Sequence, residues 1–243
     1  MLGKYLRSTI DYIRLLVIIV ILSLLAIFVF TSNSNPWFLS SSGIIVILAL
    51  INYIDLRGGS WGKFSLLMFI GMICGFIGDL LMAGIFYITP IAILNGVILF
   101  GIGHVIYLVG LKDRSPLLRK KGEGLIIRNL LIWIVCIVLV LLLFFFTVFN
   151  PSALELSIGL LGYGILLVTV LGFALTKWFD EFPIAFRILI FVGFLMFIFS
   201  DWLIGVHEMT DPTFLSGPWV GITYIFAQLP IHISVFLGAR ASE

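Results

Sequence analysis

The sequence predicts an all-α polytopic membrane protein with eight transmembrane helices, both termini cytoplasmic, built as a parallel 4+4 internal repeat. Three observations carry this expectation. The composition is too apolar for water, eight apolar runs reach bilayer length, and every lysine and arginine falls on one side of them.

Of the 243 residues 62% are hydrophobic and 11% are charged, and the mean hydropathy is +1.25. Soluble domains carry roughly 25% charged residues. A water-soluble core has no room for this much apolar surface, so lipid must solvate most of the chain. The net charge of +2 is small and scattered, which excludes a nucleic-acid partner. Cys74 and Cys136 sit inside apolar runs and read as small core residues.

A helix needs roughly 20 apolar residues to cross a bilayer. The first run, Leu15 to Phe30, has basic flanks like a signal peptide, but no small-residue cleavage site follows it, so it reads as a retained span of about 14–31. Asn33-Ser34-Asn35-Pro36 breaks the chain before a span at about 38–55, and Arg57-Gly58-Gly59-Ser60 before one at about 64–84. Thr89-Pro90 opens the fourth, at about 89–111. The basic, glycine-punctuated stretch from Lys112 to Arg128 reads as a surface segment near lipid headgroups. A fifth span follows it at about 128–149. Asn150-Pro151 introduces the sixth, about 153–176, and the seventh covers about 184–205. Asp211-Pro212 and Gly217-Pro218 precede the last, about 217–238. With these spans all 14 lysines and arginines lie on the side of the termini, whereas the odd-numbered connections hold only Glu155, Glu208 and Asp211. By the positive-inside rule both termini are cytoplasmic.

The two halves echo each other. Phe69-Ile-Gly71 is followed eight residues after the glycine by Asp79-Leu-Leu81, and Phe191-Val-Gly193 at the same spacing by Asp201-Trp-Leu203. The offset is 122 residues. Phe100 and His104 in span four then correspond to Tyr224 and Gln228 in span eight, with a two-residue slip. The expectation is one integral membrane domain, 1–243, with repeat halves of about 1–122 and 123–243.

Asp79 and Asp201 are the only acidic residues well inside the spans. A carboxylate at mid-bilayer costs at least about 2.5–3.5 kcal/mol, so such residues face the bundle interior and mark function. Two carboxyl groups brought together there share a proton and supply one acid and one base. His104 and Tyr107 lie one turn apart on span four, as Tyr224 and Gln228 do on span eight, so each pair can line one cavity. Asn95, nine residues before His104, points to a similar side. His207 and Glu208 at the outer end of span seven either guard an entrance or are simply solvated, with solvation the favoured reading, and His232 reads as a packing or snorkelling residue. Gly71, Gly75, Gly78 and Gly84 around the first acid allow close helix approach.

At Gly78-Asp79-Leu80-Leu81, Gly103-His104-Val-Ile-Tyr107, Phe199-Ser200-Asp201-Trp-Leu-Ile204 and Thr223-Tyr224-Ile-Phe-Ala227-Gln228 the chain resembles the YhhN family of eight-span membrane proteins, whose characterised members are lysoplasmalogenases. The resemblance implies hydrolysis of the vinyl ether bond of a lysoplasmalogen, a lysophospholipid-type substrate, to a fatty aldehyde and a glycerophospho-base. Asp79 and Asp201 would be the catalytic pair. Many relatives open span two with Lys-Pro; here Asn35-Pro36 stands instead, and no lysine is nearby to bind a phosphate.

A vinyl ether hydrolyses when an acid protonates its β carbon and water attacks the α carbon of the resulting oxocarbenium ion. That division of labour between two carboxyls is the one glycosidases use. The sequence context favours Asp79 as the acid, because its flank is apolar while Asp201 follows Ser200, a potential donor. His104, Tyr107, Tyr224, Gln228 and Asn95 would orient water or the head group. No cofactor is expected, no familiar metal-ligand spacing is present, and the absence of a Gly-x-Ser-x-Gly elbow argues against serine-lipase chemistry. The main rival is a proton-coupled transporter that loads the same Asp pair, against which stands the lack of matching helix breaks in the two halves. A non-catalytic lipid-binding scaffold would leave both acids unexplained.

Overall fold

A computed structural model of the chain describes residues 8–31, 35–113, 123–179, 182–214 and 218–242. It is all-helical over these residues, with eight helices long and apolar enough to cross a membrane. They are α1 (Thr9–Phe30), α2 (Asn35–Leu56), α3 (Gly62–Met82), α4 (Ala92–Asp113), α5 (Glu123–Thr147), α6 (Leu154–Thr176), α7 (Ile184–Met209) and α8 (Pro218–Ser242). The chain is therefore an integral, multi-pass membrane protein. The connection 114–122, expected at the surface, lies outside the described residues.

The helix ends differ from expectation where polar groups find partners. α1 starts about one turn earlier than its apolar run, because Asp11 and Arg14 are buried and paired with each other at 2.8 Å. The amide of Ser8 donates to Asp11 Oδ2 at 2.9 Å at this end. α7 runs to Met209 and α8 to Ser242, each about one turn beyond its predicted end. α4 begins later, at Ala92, because the chain first turns through Thr89 and Pro90. α3 stops at a Schellman turn: the amides of Gly84 and Ile85 donate to the carbonyls of Leu81 and Leu80, both at 3.0 Å, and Gly84 has a φ of 74°.

Six helices close a ring. In order around it, α2 packs on α3, α3 on α4, α4 on α6, α6 on α7, α7 on α8, and α8 on α2. α1 lies outside against α2 and α8, and α5 outside against α6. These two are the least buried spans and carry the most lipid-facing apolar surface.

Close approach inside the ring is set by glycines. A Cβ on Gly71 of α3 would stand 2.3 Å from the Tyr107 ring of α4, and one on Gly103 would stand 3.0 Å from the Gly71 carbonyl oxygen. A Cβ on Gly193 of α7 would stand 2.5 Å from Ile231 and 2.9 Å from the Ala227 carbonyl oxygen of α8. In each pair the smallest side chain lets two backbones meet where nothing larger fits.

Candidate functional site

Asp79 and Asp201 line one cavity of about 430 Å³ at the end of the bundle opposite the termini. Its wall comes from the first turns of α2 and α8 (Phe38, Val220, Tyr224), the last turns of α3 and α7 (Asp79, Met82, Asp201, Ile204, His207, Glu208) and Phe100 of α4. Short connections make successive helices antiparallel, so these turns come together at one end.

Each acid is held by a hydroxyl from the preceding helix. Ser42 of α2 donates a hydrogen bond to Asp79 Oδ2, and Tyr163 of α6 donates to Asp201 Oδ2 at 2.5 Å. The two donors precede their acids by 37 and 38 residues. The Tyr224 hydroxyl also interacts with the Asp79 carboxyl from α8. Asp79 is almost fully enclosed, at 3% exposure, whereas Asp201 is partly open to the cavity.

Ser200 does not serve Asp201. Its hydroxyl donates to the Val220 carbonyl at 3.2 Å and ties α7 to α8 instead. Neighbouring residues on a helix point about 100° apart, so adjacency in sequence put Ser200 on the wrong face. Both acids therefore accept a hydroxyl donor, and they differ instead in burial, with Asp79 the more enclosed.

Behind Tyr224 runs a buried polar chain. Gln228 donates through Nε2 to the Tyr224 hydroxyl at 3.3 Å and accepts from the Tyr107 hydroxyl at 3.2 Å; that hydroxyl lies 3.5 Å from Nε2 of His232. Gly71 and Gly75 make this possible. The first admits the Tyr107 ring, and a Cβ on the second would stand 3.1 Å from the Tyr224 hydroxyl. His232 is fully buried, so it packs and does not snorkel.

Of the residues expected to bind substrate, Tyr224 reaches the cavity wall. Tyr107 and Gln228 support it from behind. His104 is outside the wall: its Nδ1 donates to the Phe100 carbonyl at 2.8 Å, and its ring meets Phe197 edge-on at 4.4 Å. Asn95 is also outside. Its side chain donates to the Thr89 carbonyl at 2.9 Å and accepts from the Thr89 amide at 2.6 Å, securing the turn before α4. His207 and Glu208, read as solvated, stand at the cavity mouth, where Glu208 is exposed. Just past α7, hydrogen bonds from the Thr213 hydroxyl and amide hold Asp211 below the usual carboxylate range.

Tyr163 and Ser42 were missed. Tyr163 lies in an otherwise unremarkable apolar span, and its only sequence signal is correspondence: it stands one helix before Asp201, as Ser42 stands one helix before Asp79. Among the described residues no cluster of three or more His, Cys, Asp or Glu is placed to hold a metal ion.

The four motifs in and around this site lie within a match to the YhhN family that covers residues 13–235, nearly the whole chain. The chain belongs to the YhhN family. No curated protein and no solved structure matches this YhhN chain.

Proposed function

We propose that this YhhN protein is a membrane-embedded hydrolase that cleaves the vinyl ether bond of lysoplasmalogen-like lipids by acid–base catalysis with Asp79 and Asp201. The observation that carries the reading is that both intramembrane carboxyls line one cavity open at the bundle end, where water and a head group can enter. Family membership supports it.

The pair supplies the two proton transfers the reaction requires. One carboxyl delivers its proton to the β carbon, leaving an oxocarbenium ion that the other, as carboxylate, stabilises. Water adds to the α carbon and gives a proton to that carboxylate. The hemiacetal then loses its hydroxyl proton as the glycerol oxygen regains one, so a single water is consumed and the pair returns to its starting state. Ser42, Tyr163 and Tyr224 orient the carboxyls through their hydroxyls. Glu208 at the mouth, with no lysine or arginine among the described residues of the cavity wall, suits a head group that presents an ammonium.

The same geometry supports an internal duplication. The hydroxyl–acid pairs Ser42–Asp79 and Tyr163–Asp201 correspond, as do the close approaches at Gly71 and Gly193. The ring contacts between halves, α4 on α6 and α8 on α2, also exchange under the repeat. With the described lysines and arginines at the end bearing the termini, that end is assigned to the cytoplasm and the cavity to the opposite face. The spanning helices are continuous, including α8 through Pro230, which suits a fixed catalytic bundle better than the broken helices of carriers.

Purified protein in detergent, given lysoplasmenylethanolamine, is expected to release fatty aldehyde and glycerophosphoethanolamine in equal amounts. A well-folded preparation that releases neither would end the hydrolase reading, and proton flux in liposomes would then test the carrier. Tyr163→Phe removes a hydrogen bond to a charged group, of about 1.5–3 kcal/mol. Its kcat is expected to fall roughly 10- to 100-fold with little change in KM. Unchanged kcat would remove Tyr163 from the catalytic arrangement.

A further inference from the structure

Two small apolar cavities adjoin the Asp201 side of the chamber. The first, about 30 Å³, shares Met82, Phe100, Asp201 and Ile204 with the chamber wall and adds Leu160, Tyr163 and Gly205. The second, about 70 Å³, shares Leu160, Tyr163, Asp201 and Gly205 with the first and runs between α5, α6 and α7 along Val140, Gly164 and Leu167. The three adjoin around Asp201, with Tyr163 between the two side cavities, and mark out a path from the chamber into the groove.

The path is unsuited to a polar guest. The Tyr163 hydroxyl is engaged by Asp201, and the Trp202 indole N–H is donated to Thr147 at 2.9 Å. Among the described residues lining the two side cavities, Asp201 is the one ionisable acid or base besides the engaged Tyr163. The chamber, at about 430 Å³, is several times larger than either side cavity, so the bulkier head group suits the chamber and a slender chain suits the side cavities. From Leu160 to Leu167 the groove follows about 10 Å of helix axis. Its outer wall is α5, whose Leu143 is exposed to lipid. At the mouth end, Asn150 donates to the Met209 carbonyl at 2.6 Å and, with the Trp202–Thr147 bond, clasps the end of α5 to α7. α5 is thus all that stands between the groove and lipid on this side.

We propose that this path, from Asp201 past Tyr163 into the α5–α6–α7 groove, is the binding site for the single hydrocarbon chain of the substrate lipid. It rests on the hydrolase reading for the position of the reacting bond and extends it to chain recognition. The bond at the head of the chain then lies beside Asp201, and Gly164, midway along the groove, sets the chain length accepted. A Cβ on Gly164 would touch only Val140, at 3.6 Å, so a larger residue there fills the groove without pressing on backbone.

The test uses the full chain in nanodiscs with an ester-linked lysophosphatidylethanolamine carrying a diazirine at the chain end, which the proposed chemistry does not cleave. Photolabel is expected in 140–148 and 160–167, competed by excess unlabelled lysolipid, and reduced about tenfold in Gly164→Leu. In the same variant the ratio of kcat/KM for long over short alkenyl chains is expected to fall by a similar factor. Label spread over lipid-facing α1 and α5 without competition, or label confined to the chamber mouth, would overturn the proposal, as would an unchanged labelling pattern in Gly164→Leu. The labelling requires no turnover. Competed label in a protein that releases no aldehyde would therefore uphold the chain site while ending the hydrolase reading. Active protein without competed label would do the reverse.

Discussion

Asp79→Asn and Asp201→Asn are each expected to reduce aldehyde release by about 10²–10⁴-fold, the usual contribution of a positioned acid or base. Asparagine keeps the shape and the capacity to accept a hydrogen bond from Ser42 or Tyr163, so the bundle should assemble normally. What it loses is the exchangeable proton. Both variants should be similarly impaired, and the double variant little worse than either single one, because residues that act as a unit lose their contribution together. Initial rates of aldehyde formation, on protein matched for thermal midpoint and gel-filtration profile, provide the check. Full activity in one variant would reduce the pair to a single functional acid and remove the shared-proton mechanism.

The second large effect is on stability, at the opposite end of the bundle. Arg14 of α1 is 1% exposed and donates to Asp11 at 2.8 Å, to Asn52 at 2.9 Å and to Asp55 at 2.6 Å, with its guanidinium 4.5 Å from the Phe236 ring centroid. Arg240 of α8 adds contacts of 3.2 Å to both carboxylates. The cluster joins α1, α2 and α8, the helices α1 packs against. Arg14→Leu leaves two carboxylates facing Arg240 with one fewer cation between them. Breaking a buried ion pair in this way costs about 3–5 kcal/mol. The thermal midpoint in detergent is expected to fall by about 10 °C. Arg14→Lys keeps the charge but loses the planar fork and should fall less. A midpoint within a degree of the parent in Arg14→Leu would show that α1 is held by apolar packing alone.

The cluster shows why apolar runs mark helix ends poorly. A hydropathy window stops α1 at its first charges, yet Asp11 and Arg14 neutralise each other and continue the helix into the bundle. Asn95 shows the limit of periodicity. Its register relative to His104 suggested a shared cavity, but loop amides at Ile88 and Thr89 were left without helical partners and took its side-chain oxygen.

The sequence by itself determined what depends on local chemistry: eight helical spans from runs of bilayer length, the grouping of lysines and arginines around the termini and the even-numbered connections, and two carboxyls inside apolar helices. An intramembrane acid is costly wherever it sits, so its presence is legible without knowing its neighbours. The tertiary structure decided which groups meet those acids. Ser42, Tyr163 and Tyr224 reach them, while Ser200, His104 and Asn95 turn to backbone carbonyls. It also decided that His207 and Glu208 stand at the cavity mouth and that two small apolar cavities adjoin Asp201. These depend on how each helix is rotated and how closely it approaches its neighbour. That is fixed by contacts such as Tyr107 against Gly71, between residues far apart in the chain, and no single helix carries it.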